Sequence, residues 1–175
     1  VQTCALPICV SAINLGSAEA LAAAAAANQV PAGLTLTQAL LDRLLRGDTQ
    51  FGAPALETLQ LSARDSFNFY GSTSLDTYDP LTGKSLLSNL MIATPAIYGA
   101  GGTNDVASIH TANLIWQGAT DPAGAVVSGG AGTGSGRLDI NAERIEFGYG
   151  AFAQPSTTLT FDRLALGFAN VNLNA

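Results

Sequence analysis

Basic charge is what this chain has least of. Lys84 is its only lysine, six arginines are scattered along it, and acidic residues outnumber basic ones by thirteen to seven. Nucleic-acid binders carry a basic face or stripe, so no nucleic-acid partner is expected. Long apolar runs are also missing. The longest, Ala20 to Ala27, is mostly alanine. It falls well short of the ~18 residues that cross a bilayer, so no membrane span is expected. Histidine occurs once, at His110, and cysteine only at Cys4 and Cys9. A structural zinc site takes about four ligands, and the cysteines lack redox C-x-x-C spacing. No cofactor or metal is expected. Glycine is plentiful (19 residues), as are Ser, Thr and Asn, and 47% of the chain is hydrophobic. One domain with a sizeable core fits this length. The mixture suits a secreted, repetitive β protein better than a cytosolic enzyme.

The segment holding both cysteines, "VQTCALPIC", resembles a translated sequencing adapter. Val1 to Ile8 can be written back as GTT CAG ACG TGT GCT CTT CCG ATC, the end of such an adapter, whose next base is T. A cysteine codon starts with T, which makes Cys9 the junction. Residues 1–9 are therefore expected to be foreign and to pack against little. On this reading neither terminus is native. "FANVNLNA" stops within its pattern, so the chain is expected to be an internal fragment.

The first third reads as helical. Ser17 can cap "AEALAAAAAAN", with Asn28 near its end and Pro31 beyond; a low-complexity linker is the other reading of the alanine run. In "TLTQALLDRLLRGD", Thr35 and Gln38 match a capping box. Leu36, Leu40 and Leu44 fall on one face, and Arg43 and Arg46 suit a helix C-terminus. Residues 10–50 are thus expected to form a helical insertion or linker.

From about Ala55 the period becomes 2. In "RLDINAERIEFGYG", Leu138, Ile140 and Ala142 alternate, Glu143 and Arg144 intervene, and Ile145, Phe147 and Tyr149 resume in the opposite parity. "RLALGFANVNLNA" repeats this with Leu164, Leu166 and Phe168, then Val171 and Leu173. "ASIHTANLIWQG" does so around Ala112 and Asn113, and "LQLSARDSFNF" around Arg64 to Ser66. A step with parity change lets a strand turn a corner with its apolar face still inward. Asn113 and Asn170 are expected to supply left-handed backbone there. No hairpin pairs of the Asn-Gly kind occur at these steps. The expectation is an all-β fold, a right-handed parallel β-helix (solenoid) over residues 51–175 with a helical N-terminal insertion. A β-sandwich is the alternative. Ile140, Ile145 and Phe147 should be buried, with Asp139 and Glu146 facing out.

Chemistry is sparse. "GGAGTGSG" (Gly129 to Gly136) lacks the Lys-Ser/Thr of a phosphate loop and has Thr133 where a calcium nonapeptide needs Asp. It reads as a flexible loop. His110 reads as strand surface, and Asp76 with Asp79 as turn residues. Tyr70, Tyr98, Tyr149 and Trp116 read as core rungs rather than a sugar-binding stripe. No catalytic residues are assigned. If the scaffold cleaves glycans, the candidates are Asp139, Glu143 and Glu146, because paired carboxylates do that work.

The stretches "SLDTYDPLTGKSLLSNLMIATPAIYGAGG", "HTANLIWQGAT", "GAVVSGGAGTGSGRLDINAERIEFGYG" and "FDRLALGFANVNLNA" resemble the C-terminal region of filamentous-haemagglutinin-type exoproteins, from about Leu34 to Ala175. The resemblance implies two-partner secretion through an outer-membrane transporter and a secreted or cell-surface location. It also implies a structural shaft that projects an adhesive or effector module toward surface glycans or proteins. A carbohydrate-active enzyme on the same scaffold is the other functional reading.

Overall fold

The computed structural model describes residues 5–46, 56–119, 121–148 and 163–175, with backbone alone over 5–9. Its elements are β1 (Ala5–Gly16), α1 (Ala18–Ala26), β2 (Leu34–Thr37), α2 (Gln38–Arg46), β3 (Thr58–Tyr70), β4 (Thr73–Asp76), β5 (Asn89–Ala93), β6 (Ala96–Gly99), β7 (Val106–Gln117), β8 (Gly136–Glu146), β9 (Leu164–Leu166) and β10 (Phe168–Asn174). The strands make one ten-stranded sheet, ordered β10-β8-β7-β5-β3-β1-β2 along its main path.

Every strand ladder is parallel. The antiparallel ladders of a β-sandwich do not occur among the described residues, where only an isolated Tyr78–Ser85 bridge runs antiparallel. Strands sort into three ladders because the long ones bend. β3 pairs β5 through Thr58–Ser62 and β6 through Phe67–Phe69. β7 pairs β4 through Ala107–His110 and β5 through Leu114–Gln117.

The bends fall at the parity changes. In β7, Ala107, Ile109 and Thr111 are buried, then Leu114 and Trp116; in β3, Leu59, Leu61 and Ala63 are buried, then Phe67 and Phe69. Register then stacks like on like inside. Leu59 meets Leu90, which meets Leu114 and then Ile145. Ile13 meets Phe67, which meets Ile97 and then Ala165. Leu75 meets Ile109, which meets Ile140 and then Leu173. Strands ~4.8 Å apart place these side chains in contact, and each fully buried one contributes ~1.5–3 kcal/mol.

Several expectations need correction. Asn113 and Asn170 are not left-handed; among the described residues only Asn28, just past α1, combines a side chain with positive φ (53°). In β3, β7 and β8 the corners are taken inside continuous strands, whereas between β9 and β10 the chain turns at Gly167 (φ 80°), and Asn113 instead donates through Nδ2 to the Ser88 carbonyl at 2.7 Å. Phe147 is 50% exposed, not buried. Among the described residues it lies just past the part of β8 that pairs with β7, and β10 reaches only Gly136–Asn141. It leans on Trp116 with centroids 5.9 Å apart. Leu164 and Leu166 face outward, because Ala165 shares the register of buried Ile97. Tyr149 lies outside the described residues.

Residues 10–50 are not simply helical. β1 runs across the expected 9/10 boundary, and the backbone of Ala5–Cys9 pairs with Thr58–Ser62. A strand edge with free N–H and C=O groups pairs with any extended backbone, whatever its origin. α1 forms as expected, its first turn capped by Ser17 Oγ accepting from the Ala20 N–H at 3.1 Å. Thr35 is not a cap; it lies in β2 opposite Asn14. The α2 cap is Thr37, whose Oγ1 accepts from the Leu40 N–H at 3.4 Å. Leu40 is exposed, while Leu41 and Leu45 are buried. The phase is set by Gln38. Its amide Nε2 donates to the Ser74 carbonyl at 2.7 Å, and its Oε1 accepts from the Ser74 N–H at 2.9 Å. With Gln38 anchored on β4, the positions three and seven residues later face the sheet.

Candidate functional site

Outward positions of the ladder β4-β7-β8-β10 form two polar rows. One runs Ser74, Ser108, Asp139, Asn172, the other Asp76, His110, Asn141, Asn174. The triplets Ser-Leu-Asp, Ser-Ile-His, Asp-Ile-Asn and Asn-Leu-Asn repeat one rule, polar-aliphatic-polar. Asn172 donates to Asp139 at 2.7 Å and Asn174 to Asn141 at 2.8 Å, each bond running along its own row between β10 and β8.

A polar cluster lies beside the second row. His110 Nδ1 lies 3.1 Å from Asp76 Oδ1. The Tyr78 ring stacks on His110 with centroids 4.2 Å apart and planes 12° from parallel. The Tyr78 hydroxyl donates to Glu143 Oε1 at 2.9 Å. Partial burial, then the hydrogen bond and negative charge of Glu143, push the Tyr78 phenol above its ordinary pKa. A recess of about 290 Å³ opens here, lined by Tyr78, His110, Asn141, Glu143 and Asn174 among others. Asp76 orients the imidazole and Tyr78 fixes its plane. The cluster can offer hydrogen bonds and an aromatic surface to a polar ligand.

The three carboxylates singled out as candidates are not assembled into one site. Asp139 lies opposite Ser108 and pairs with Arg137 at 2.8 Å. Glu146 lies around the corner, opposite Ile115, and pairs with Arg144 at 2.6 Å. Only Glu143 reaches the recess. The Asp76–His110 pairing was hidden in the sequence because it depends on register between β4 and β7. The repeated triplets are the signal that could have exposed it.

The remaining candidates are placed as follows. Asp79 sits in a turn, accepting from the Leu81 N–H at 2.9 Å and the Thr82 hydroxyl at 3.0 Å; these bonds hold its carboxyl below the usual range. Tyr70, Tyr98 and Trp116 are buried, each with its polar atom donating to a backbone carbonyl: Gln29, Gly124 and Thr94 respectively. Trp116 belongs to the main core, whereas Tyr70 and Tyr98 sit in a second cluster with Leu21 of α1. The glycine-rich segment is a packed cover, not a loose loop. Gly132 and Gly134 donate to the Gly99 carbonyl at 2.8 and 3.1 Å, and Ala131 is buried. No helix among the described residues is long and apolar enough to cross a membrane. No family model, curated protein or solved structure matches this chain.

Proposed function

We propose that this chain is a shaft segment of a large secreted surface exoprotein of the filamentous-haemagglutinin type. In this reading its ladders are coils of a right-handed parallel β-helix, which projects an adhesive or effector module away from the cell. The observation that carries the reading is the in-register stacking of inward aliphatic rows over three ladders, beneath outward rows of Ser, Asn and Asp. Such stacking transmits length and stiffness, and each added coil lengthens the rod by ~4.8 Å. Right-handed crossovers are the rule for parallel connections. The wording of residues 34–175 adds the link to exported exoproteins, and with it the transporter partner and surface location.

In-frame deletion of residues 56–175 from the full-length protein tests this. The surface fibre should shorten by roughly four strand spacings of ~4.8 Å, with binding by the distal module retained. Unchanged fibre length would overturn the shaft reading. A carbohydrate-active role has less support, because Asp139 and Glu146 lie apart from the recess that Glu143 lines. Release of reducing ends from polysaccharides, abolished by Glu143→Gln, would restore it.

A further inference from the structure

We propose that a recess at the bulge between β1 and β3 is a binding site for one uncharged sugar ring. It shares no residue with the recess beside Tyr78 and His110, and it is independent of the shaft reading. In this ladder Val10 lies opposite Ala63 and Ala12 opposite Ser66, so Ser11 faces two residues, Arg64 and Asp65. An extra residue of this kind re-aims side chains, and such bulges recur beside functional sites. Here it leaves both Arg64 and Asp65 outside the core. A recess of about 300 Å³ opens around them. That is the small end of the ~300–1,000 Å³ that small-molecule pockets span.

Both walls are tied to the floor. On one side Ser11 Oγ donates to the Ala32 carbonyl at 2.9 Å, and Asn14 Nδ2 to the Pro31 carbonyl at 3.0 Å. On the other the Gly124 N–H donates to the Asp65 carbonyl at 2.9 Å, and the Tyr98 hydroxyl to the Gly124 carbonyl at 2.9 Å. The recess is formed in advance, which spares a ligand the cost of ordering it.

A relay of amides leaves one buried donor without a partner. Asn14 Nδ2 is committed to Pro31, so Asn14 Oδ1 turns to Asn68 and accepts from its Nδ2 at 2.9 Å. The same Nδ2 donates to Ser66 Oγ at 3.0 Å. Ser66 Oγ is thus held as an acceptor, and among the described residues no group accepts its own proton. Ser66 is only 3% exposed, and it lines the recess. A buried hydroxyl proton without an acceptor is costly. A ligand oxygen in the recess would accept it.

The rim sets the charge and class of the ligand. Arg64 Nε and Nη2 donate to the two carboxylate oxygens of Asp65, each at 2.8 Å. The pair is neutral as a whole and favours neither an anion nor a cation. It keeps spare N–H groups on the guanidinium and spare lone pairs on the carboxylate. A hydroxyl group uses both, donating to Asp65 and accepting from Arg64. The walls between these groups are small and apolar: Ala12, Pro31, Ala32, Ala125 and Val127. They suit the C–H faces of a ring. An uncharged ring that carries several hydroxyls matches the donor, the acceptor, the charge and the size together.

The test is an NMR titration of the isotope-labelled full chain with the methyl glycosides of glucose, galactose and N-acetylglucosamine. At least one should bind saturably and shift the amide signals of Ser66, Gly124 and Val127. Ser66→Ala removes the buried donor and should weaken that binding by at least about tenfold. Ala32→Phe fills the exposed lip and should abolish binding without changing the melting temperature. If Ser66→Ala lowers the melting temperature, the Ala32 variant decides alone. Saturable binding of none of the three glycosides, binding undiminished by Ala32→Phe, or tighter binding of inorganic sulfate at the same amides would each overturn the proposal.

Discussion

The side-chain amide of Gln38 takes the place of a β-strand beside Ser74. Its Oε1 accepts the Ser74 N–H at 2.9 Å and its Nε2 donates to the Ser74 carbonyl at 2.7 Å. In a parallel ladder both groups of one residue point to the same neighbour. One glutamine thus satisfies both main-chain groups that Ser74 turns away from β7. Gln38→Ala leaves two main-chain groups without partners and should cost ~1–3 kcal/mol in denaturant unfolding. A cost below ~0.5 kcal/mol, as at ordinary surface sites, would show that solvent serves the edge equally well.

Inward and outward positions can be separated by truncation. Phe67 is fully buried between Ile13 and Ile97, so Phe67→Ala should cost ~3–5 kcal/mol. Phe147 is half exposed against Trp116, and Phe147→Ala should cost only ~1–2 kcal/mol. Leu166→Ala, on the outward side of β9, should cost ~1 kcal/mol or less. Equal losses at all three sites would refute the register described for β3, β8 and β9.

Alkaline pH should loosen the fold through Tyr70. Burial pushes its hydroxyl up to about 12, and that hydroxyl donates to the Gln29 carbonyl at 2.7 Å. In the unfolded chain a tyrosine ionises near 10. Between about pH 10 and 12 the unfolded state sheds this proton first, so stability falls as pH rises. Below pH 10 the contribution is fully present. Tyr70→Phe should flatten this decline in urea midpoints measured across that window. An unchanged slope would shift the effect to Tyr98, whose phenol burial also raises.

A buried amide pair gives a test with the opposite chemistry. Asn68 Nδ2 donates to Asn14 Oδ1 at 2.9 Å and to Ser66 Oγ at 3.0 Å, with Asn68 fully enclosed. Asn68→Asp removes both donors and sets a carboxylate against the Asn14 oxygen. The variant should lose at least ~2 kcal/mol at neutral pH. Burial raises the folded pKa of such a carboxyl, so its penalty should shrink as pH falls and the protonated acid becomes a donor. A gap from wild type that is the same at pH 7 and pH 4 would mean the pair is not dry.

The alternation of "LQLSARDSFNF" and "ASIHTANLIWQ" dictated strands that bend with their apolar side inward, and Ser17 with its alanine run dictated α1. Those are local effects: period and capping act over a few residues, and the chain carries them openly. Tertiary structure decided everything that depends on which strand lies beside which. The neighbour of Ala165 is Ile97, so Leu164 and Leu166 turn outward although their own sequence reads as inward. Among the described residues β8 has a second neighbour only as far as Asn141, and Phe147 beyond it is half exposed. The Gln38 anchor rotated α2 away from the phase its leucines suggested. Asp76 and His110 became partners because β4 and β7 align Ser74 with Ser108. Parallel ladders join residues far apart in sequence, and their register is set by the summed fit of many side chains, which no single segment contains.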